Sequence, residues 1–203
     1  MATRDSGAPR ERILAAAIQE FSAHGVDATS VQRVAEAAGM SKQALMHHFP
    51  TKERLREAVF EELKERMLAL FPDVVADLSS HSMDRYRHVV EVVARLFEES
   101  PDTARFVLRE LLDHPRETLA WLRTQSAPWL KVILSVVDES AREGGPGEGF
   151  DAEAHVTVVA GLLLTVSALV HGGPARDARW RKRIQEAALR LILVGSHLDE
   201  RAD

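Results

Sequence analysis

Three helix-ending signals within the first 50 residues limit the N-terminal part of this chain to short helices. Gly25 and Gly39 suit the left-handed backbone that often follows a helix, and Pro50 disfavours helical geometry at Phe49. Between these signals, apolar residues recur at the 3.6-residue helical period. The pattern predicts one helix that stops before Gly25, followed by two short helices.

Hydroxyl side chains stand at the expected starts of these helices. Thr29 and Gln32 have the spacing of a capping box, which predicts that Thr29 is the N-cap of the second helix. Ser41 is the expected cap of the third helix, and Thr51 is that of a long fourth helix. Residues 29–49 are therefore expected to form a helix–turn–helix, whose turn contains a glycine.

The rest of the chain has the helical period and no alternating strand pattern. Five further helices are expected near residues 83–99, 102–113, 116–143, 151–172 and 178–198. The predicted fold class is all-α with about nine helices. Residues 1–52 are expected to form a small domain, and residues 53–203 a larger helical bundle.

Composition excludes several classes of protein. The chain has no cysteine, so disulfide frameworks, thiolate zinc sites and iron–sulfur clusters are ruled out. The net charge of −5 excludes a uniformly basic nucleic-acid wrapper, although residues 1–52 carry six basic and five acidic side chains. The uncharged stretch 156–170 is shorter than the roughly 20 residues of a membrane span. We therefore expect a cytoplasmic protein with no membrane partner.

The predicted third helix has side chains suited to reading DNA. A helix of this size fits the major groove, which is about 12 Å wide. A lysine can donate to guanine, a glutamine can pair with adenine, and an alanine can contact the methyl group of thymine. The side chains expected on its outer surface are Lys42, Gln43, Ala44 and His47.

These residues are part of a longer pattern that resembles a known family. The pattern comprises Arg12 to Ala17, Phe21, Gly25, Thr29 to Val31, Val34-Ala35, Ala38 to Ser41, Leu45, His48-Phe49 and Lys52-Glu53. It resembles the N-terminal DNA-binding domain of the tetracycline-repressor (TetR) family over about residues 10–60. The resemblance implies a transcriptional regulator, more specifically a repressor, that binds a palindromic double-stranded operator as a homodimer.

The resemblance also assigns roles to individual residues. Thr29 and Ser30 would contact phosphates, Lys42, Gln43, Ala44 and His47 would face bases, and His48 and Lys52 would hold the DNA backbone. Two positions depart from the family pattern. Gln43 stands where glycine is common, and Met46 stands where a tyrosine usually donates to phosphate. The backbone contact would then be weaker, or would come from His47, His48, Arg4, Arg10 or Arg12.

Lys52 has two interpretations at the sequence level. A cation in the first turn of a helix opposes the helix dipole, and a bound phosphate would explain its presence there. A solvated lysine, tolerated at small cost, is the alternative.

The last two predicted helices are candidates for a dimer surface. Residues 151–172 are apolar almost all round, as expected for a helix that is either central or covered by a partner. The family resemblance implies a four-helix bundle between two copies, while packing inside one chain is the alternative. The candidate interface residues are Val159, Leu162, Leu163, Val166, Ile184, Ala188 and Leu191.

Helices between residues 55 and 143 would then form a pocket for a small-molecule effector, largely apolar and of unknown identity. The candidate lining residues are Tyr86, Phe97, Phe106, Arg109, Trp121 and Trp129. Ordinary core packing is the alternative for each of them. No two histidines have the four-residue spacing of a helical metal site, so we expect neither a metal nor a cofactor.

Two other classes of function are alternatives at the level of the sequence. The sequence lacks a nucleophile elbow, a phosphate-binding loop and a zinc-protease helix, so an enzyme is not expected. A dimeric helical interaction protein with weakened or lost operator binding is the second alternative, and Met46 favours it.

Overall fold

The computed structural model describes residues 7–70, 72, 82–142, 151–172 and 178–195, which contain nine complete α-helices and no strand. In chain order the helices are α1 (Gly7–His24), α2 (Val31–Ala37), α3 (Lys42–His48), α4 (Lys52–Ala69), α5 (Ser82–Glu99), α6 (Pro101–Asp113), α7 (Pro115–Arg142), α8 (Ala152–Gly172) and α9 (Ala178–Gly195). The all-α class and the predicted helices are confirmed. Arg4 lies outside the described residues.

The N-terminal helix boundaries follow from local chemistry, with one correction. Gly25 and Gly39 have φ values of 84° and 68°, a region that glycine adopts without a steric penalty. The hydroxyl of Ser41 accepts from the backbone N–H of Ala44 over 3.1 Å and caps α3. The N-cap of α2 is Ser30, not Thr29 as the capping-box spacing predicted.

One continuous core joins α1–α4 to the helices that follow. The ring of Phe106 on α6 lies between Phe21 of α1 and Phe60 of α4, with centroids 6.3 and 5.1 Å away. Leu164 and Ala168 of α8 belong to the same core. The division between residues 52 and 53 stays a prediction, since α4 packs in both parts of the molecule.

A second core lies among α5, α7, α8 and α9. It contains Val89, Val90 and Val92 of α5 and Ile133 of α7, and α8 and α9 add Leu163 and Ile192. The hydroxyl of Ser167 on α8 donates to the carbonyl of Phe97 on α5 over 2.8 Å. This contact satisfies the hydroxyl, which is buried between the two helices.

Helix α8 is long and apolar enough to cross a membrane by length and composition, the one such helix in the searched part of the chain. Core helices of soluble proteins pass the same test, so this is weak evidence for a span. The helix packs against α5, α6, α7 and α9, yet only 28% of residues 152–170 are buried within one chain. It therefore has an uncovered apolar face.

Candidate nucleic-acid interface and regulatory cavity

Helix α3 is anchored by its apolar side and presents its polar side to solvent. Leu45 is fully buried and Phe49, which follows the helix, is 7% exposed. The exposed side chains include Lys42, Gln43, Ala44, His47 and His48. The five side chains expected to touch DNA from this helix are thus accessible together on one short element.

Residues next to this surface differ in how freely they could reach a phosphate. Met46 is 42% exposed and cannot donate a hydrogen bond. The guanidinium of Arg10 lies 5.9 Å from the centre of the Phe49 ring, within cation–π range. Arg12 is exposed on the same helix, α1. Among the substitutes for a tyrosine at position 46, Arg10 therefore lies against the residue that ends α3.

The structure overturns the phosphate contact expected of Thr29. Its side chain is fully buried, and its hydroxyl donates to the carbonyl of Gly25 over 2.7 Å. Its backbone N–H donates to the carbonyl of Val26. Ser30 is exposed and its hydroxyl accepts from the N–H of Arg33 over 3.1 Å. Thr29 thus closes the α1–α2 turn, and Ser30 is left as the hydroxyl near the surface.

Lys52 has an intramolecular partner that neither sequence interpretation anticipated. Its ammonium donates to the backbone carbonyl of Asp27 over 2.9 Å, which ties the start of α4 to the α1–α2 turn. Hydrogen bonds from the backbone N–H of Glu53 and the hydroxyl of Thr51 lower the pKa of the Glu53 carboxyl. The chain's own carboxylate therefore supplies the negative charge that the start of α4 favours.

Residues at the C-terminal end of α6 also contact the α1–α2 turn. Arg109 donates to the carbonyl of Ala23 over 3.3 Å, and its side chain lies over Gly25. His114, just after the helix, lies 3.8 Å from the carboxylate of Asp27. Contacts from the bundle thus reach the segment that orients α1 and α2.

A buried ion pair links α6 to α4. The Nε of Arg56 donates to the carboxylate of Glu110 over 2.6 Å, and Glu110 is 1% exposed. Arg56 also donates to Glu117 over 3.4 Å and lies over the Phe60 ring at 5.1 Å. Thr118 donates to the backbone carbonyl of Glu110 over 3.1 Å. The guanidinium of Arg56 therefore compensates the negative charge of Glu110, whose carboxylate is buried away from water.

A cavity of about 400 Å³ lies among α4–α8. Its aliphatic walls include Leu63 and Met67 of α4 and Val107 and Leu111 of α6. The remaining described lining residues are Val89, Val90, Val93, Leu96, Phe97, Leu119, Leu122, Arg123, Leu130, Ile133, Glu153, His155, Val156, Thr157, Val159, Ala160, Gly161, Leu163 and Leu164. The volume falls within the range of about 300–1,000 Å³ typical of small-molecule sites.

Only one of the aromatic candidates with a described side chain, Phe97, lines this cavity. Phe106 is packed in the core, and Trp121 packs on Phe60 with ring centroids 4.7 Å apart. Arg109 contacts the α1–α2 turn instead. These three residues therefore do not line this cavity, and a role for them in ligand binding stays a prediction. The side chains of Tyr86 and Trp129 lie outside the described residues.

Aliphatic residues of α5 line the cavity and were missed as pocket residues, although their spacing could have identified them as a buried face. Val89, Val90, Val93, Leu96 and Phe97 repeat at three- and four-residue intervals along one helix. Such a stripe predicts a buried face. Whether that face meets a core or a cavity depends on helix packing, which the stripe alone does not determine.

The proposed dimer residues divide between two faces of α8 and α9. Leu163 and Ala188 are buried in the single chain, Val159 lines the cavity, and Leu162 packs against the second core. Leu163 and Ala188 are therefore corrected to interior residues. Val166 and Ile184 are partly exposed, and Leu191 is 69% exposed.

The candidate interface residues leave out the outermost apolar residues of α8. Val158 and Leu169 are 69% and 65% exposed, and no atom lies within 4 Å of where a Cβ at Gly161 would stand. With Thr165, these residues recur at three- or four-residue spacing and form one stripe. We call Val158, Gly161, Thr165 and Leu169, together with Leu191 of α9, the outer face.

The titratable side chains of the described residues do not form a metal centre. No group of three or more His, Cys, Asp or Glu side chains that could hold a metal ion occurs in the part of the chain searched. The histidine and acidic side chains described above take part in contacts between helices or are exposed.

Comparisons with known proteins support the interpretation of the N-terminal region. Residues 13–59 match the family described as bacterial regulatory proteins, tetR family. The nucleoid occlusion factor SlmA of Shewanella woodyi is 25% identical over 162 residues, covering 78% of each chain. The transcriptional regulator RutR of Escherichia coli K12 is 28% identical over 110 residues, covering 54% of this chain and 51% of RutR. The structure of a tetR-family regulatory protein from Rhodococcus RHA1 is 26% identical, with a TM-score of 0.69 over 94% of this chain and 98% of that one.

Proposed function

The N-terminal domain of this chain belongs to the tetR family of bacterial regulatory proteins, and on that premise we propose that the protein is a repressor that binds a palindromic operator as a homodimer. The observation that carries the proposal is the exposure of Lys42, Gln43 and His47 on α3, a helix anchored by the buried Leu45. Of the similar proteins described above, RutR and the Rhodococcus protein are named as regulatory proteins. The cytoplasm, where the chromosome lies, is the proposed location.

Within the DNA complex, α3 would lie in the major groove and the neighbouring residues would hold the backbone. Lys42 and Gln43 have the donors for guanine and adenine edges, and Ala44 can contact a thymine methyl. His48 and Ser30 are accessible for phosphate. Lys52 has two further N–H donors besides the one used on Asp27 and can share them with a phosphate.

Homodimerisation would use the outer face. A stripe that exposes Val158, Leu169 and Leu191 by about two thirds each is apolar enough to favour a partner over water. A twofold dimer would place two copies of α3 on half-sites separated by about 34–36 Å, one turn of DNA.

Effector control would act through helices that touch both the cavity and the DNA-binding domain. Leu63 and Met67 of α4 line the cavity, and Lys52 of the same helix donates to the carbonyl of Asp27 in the α1–α2 turn. On α6, Leu111 faces the cavity while Arg109 contacts the α1–α2 turn. An effector that fits one arrangement of these helices better would shift the population of DNA-binding dimers.

Binding of the full-length protein to its own upstream DNA tests the proposal. We expect specific binding of one palindrome, with an affinity that falls as salt rises according to the number of phosphates neutralised. A shuffled sequence of the same composition should bind at least about a thousandfold more weakly. Equal affinity for both DNAs would contradict the proposal and would favour an interaction protein that has lost operator binding.

The similarity to a nucleoid occlusion factor favours a second candidate function. The match to SlmA covers 78% of both chains, which is longer than the N-terminal domain alone. A protein acting in nucleoid occlusion would bind DNA without acting as a repressor of its own promoter. Chromatin immunoprecipitation separates the two functions. Sites confined to a few promoters support the repressor, and sites spread over the chromosome support nucleoid occlusion.

A further inference from the structure

We propose that the cavity among α4–α8 takes an aliphatic ligand with an anionic end, and that Arg123 binds that end. This rests on the regulatory role proposed above for the cavity. The inference concerns the chemical class of the effector, which is determined by the cavity walls and by the charge at their edge.

The walls favour a saturated chain over a flat aromatic molecule. Phe97 is the one apolar aromatic ring among the described lining residues, and leucine, valine, isoleucine and methionine form most of the rest. Aromatic ligands gain from stacking on aromatic rings, whereas an aliphatic chain is held by the apolar area that it removes from water. The lining therefore suits a flexible aliphatic ligand.

Arg123 lines the cavity with a positive charge for which the described residues of the chain provide no acidic partner. It lines the cavity and is exposed, so it lies at the rim. Residues three and four positions away on α7 are Leu119, Ala120, Ser126 and Ala127, none of which is acidic. Within the described ranges of the chain, no carboxylate forms an ion pair with Arg123. A guanidinium in this position can bind a carboxylate through two parallel hydrogen bonds.

The other polar lining residues have roles within the chain. Glu153 lies in the first turn of α8, where an acid interacts favourably with the helix dipole. The hydroxyl of Thr157 donates to the backbone carbonyl of Glu153 over 2.8 Å. Burial lowers the pKa of His155, which favours its neutral form. Arg123 is therefore the one permanent cation among the described lining residues.

Three probes with the same chain and different ends test this class. We would titrate dodecanoate, dodecanol and dodecylammonium into the full-length protein by calorimetry, without DNA. We expect dodecanoate to bind most tightly. The variant Arg123→Gln should weaken dodecanoate by about fivefold to tenfold and leave dodecanol unchanged, since only the charged contact is lost. Arg116→Gln is the matched control, because Arg116 is exposed on α7 and does not line the cavity.

Two results would overturn the inference. One is tighter binding of dodecylammonium than of dodecanoate, which would assign the polar end to Glu153. The other is dodecanoate binding that is equally strong in the wild type and in Arg123→Gln. Ala160→Phe, which places a large ring in the cavity, should weaken all three probes, and unchanged binding would show that they bind elsewhere.

Further arms distinguish the source of the anionic end and separate this inference from the proposed function. Dodecanoyl-CoA carries the same chain with its negative charges on a bulky group, so its affinity relative to dodecanoate distinguishes a thioester from a free acid. Operator binding is measured separately, with and without the tighter probe. Binding through Arg123 that leaves operator affinity unchanged would support the ligand class and contradict effector control.

Discussion

The side chains of Arg56 and Glu110 form a 2.6 Å ion pair that joins α4, the first helix after the three-helix N-terminal unit, to α6. Glu110 is 1% exposed, whereas Arg56 retains 20% of its side-chain exposure. The cation reaches in from the protein surface to a carboxylate that water cannot solvate. Both helices line the cavity, and both contact the α1–α2 turn through Lys52 and Arg109, so loss of the pair should affect the cavity and that turn.

Removal of the cation alone should destabilise the protein substantially. Arg56→Met leaves a buried carboxylate without a counter-charge, and we expect the free energy of unfolding in urea to fall by about 3 kcal/mol. The double variant Arg56→Met/Glu110→Met should recover much of this loss, because no charge is then left buried.

Arg54→Met is the control for this experiment. Arg54 pairs with Glu57 at 2.9 Å, but both side chains are more than half exposed. Its replacement should therefore change stability by less than about 0.5 kcal/mol. Equal effects of the two arginine substitutions would show that burial of Glu110 does not matter.

Two glycines allow backbone strain to be separated from contact with α6. Gly25→Ala and Gly39→Ala both place a Cβ on a residue with positive φ, which costs about 1–2 kcal/mol each. At Gly25 that Cβ would also stand 3.3 Å from the Cδ of Arg109, while nothing lies within 4 Å at Gly39. Urea unfolding should show the larger loss for Gly25→Ala. Equal losses would mean that Arg109 moves away without cost.

Most of the helix pattern could be predicted because glycine, proline and capping residues act locally. Gly25, Gly39 and Ser41 each have the predicted conformation or contact. The cap of α2 was misplaced by one residue, since Thr29 and Ser30 carry equivalent hydroxyls. Tertiary packing determines which of the two is the N-cap. The hydroxyl of Thr29 points inward and donates to the carbonyl of Gly25, which leaves Ser30 to cap α2.

Contacts between helices were much less predictable. Aromatic and cationic side chains of α6 and α7 are of the residue types common in ligand pockets, yet they pack between helices. These residues are Phe106, Arg109 and Trp121. Leu163 and Leu191 are both leucines on apolar stripes, and only the packing of α8 and α9 makes one buried and the other exposed. The exposed residues of α3 were predictable because a short helix with one buried leucine has only one other side.

Lys42 should contribute to base preference as well as to affinity. Lys42→Ala removes a donor suited to guanine, and we expect a loss of about 1–3 kcal/mol at one operator position with smaller effects elsewhere. Fluorescence anisotropy on the operator and its single-base variants measures this. Lys131→Ala makes the same charge change at an exposed site on α7 and should leave the preference unchanged. An equal loss of affinity for all the DNA sequences would indicate that Lys42 contacts the DNA backbone rather than a base.

The outer face should be required for dimerisation. Leu191→Glu places a charge in the proposed interface, and sedimentation should detect a shift towards monomer with at least about a tenfold rise in the dissociation constant. Operator affinity should fall as well, because a monomer contacts one half-site of the operator, whereas the dimer contacts both. Leu112→Glu is the matched control, since Leu112 is 75% exposed on α6, a helix that contributes no residue to the outer face. An unchanged dimer in Leu191→Glu would contradict the proposed interface.

His155 should make stability depend on pH on the acidic side of neutrality. Burial lowers the pKa of His155 in the folded protein, so the unfolded chain takes up a proton at a higher pH than the folded one. The stabilising effect is therefore fully present above the unfolded pKa of about 6.5 and is lost as the pH falls through the folded pKa. Between pH 7 and pH 5, urea unfolding should show a larger loss for the wild type than for His155→Gln. His48→Gln, at an exposed position on α3, should keep the wild-type pH dependence, and a wild-type slope retained in His155→Gln would contradict the assignment.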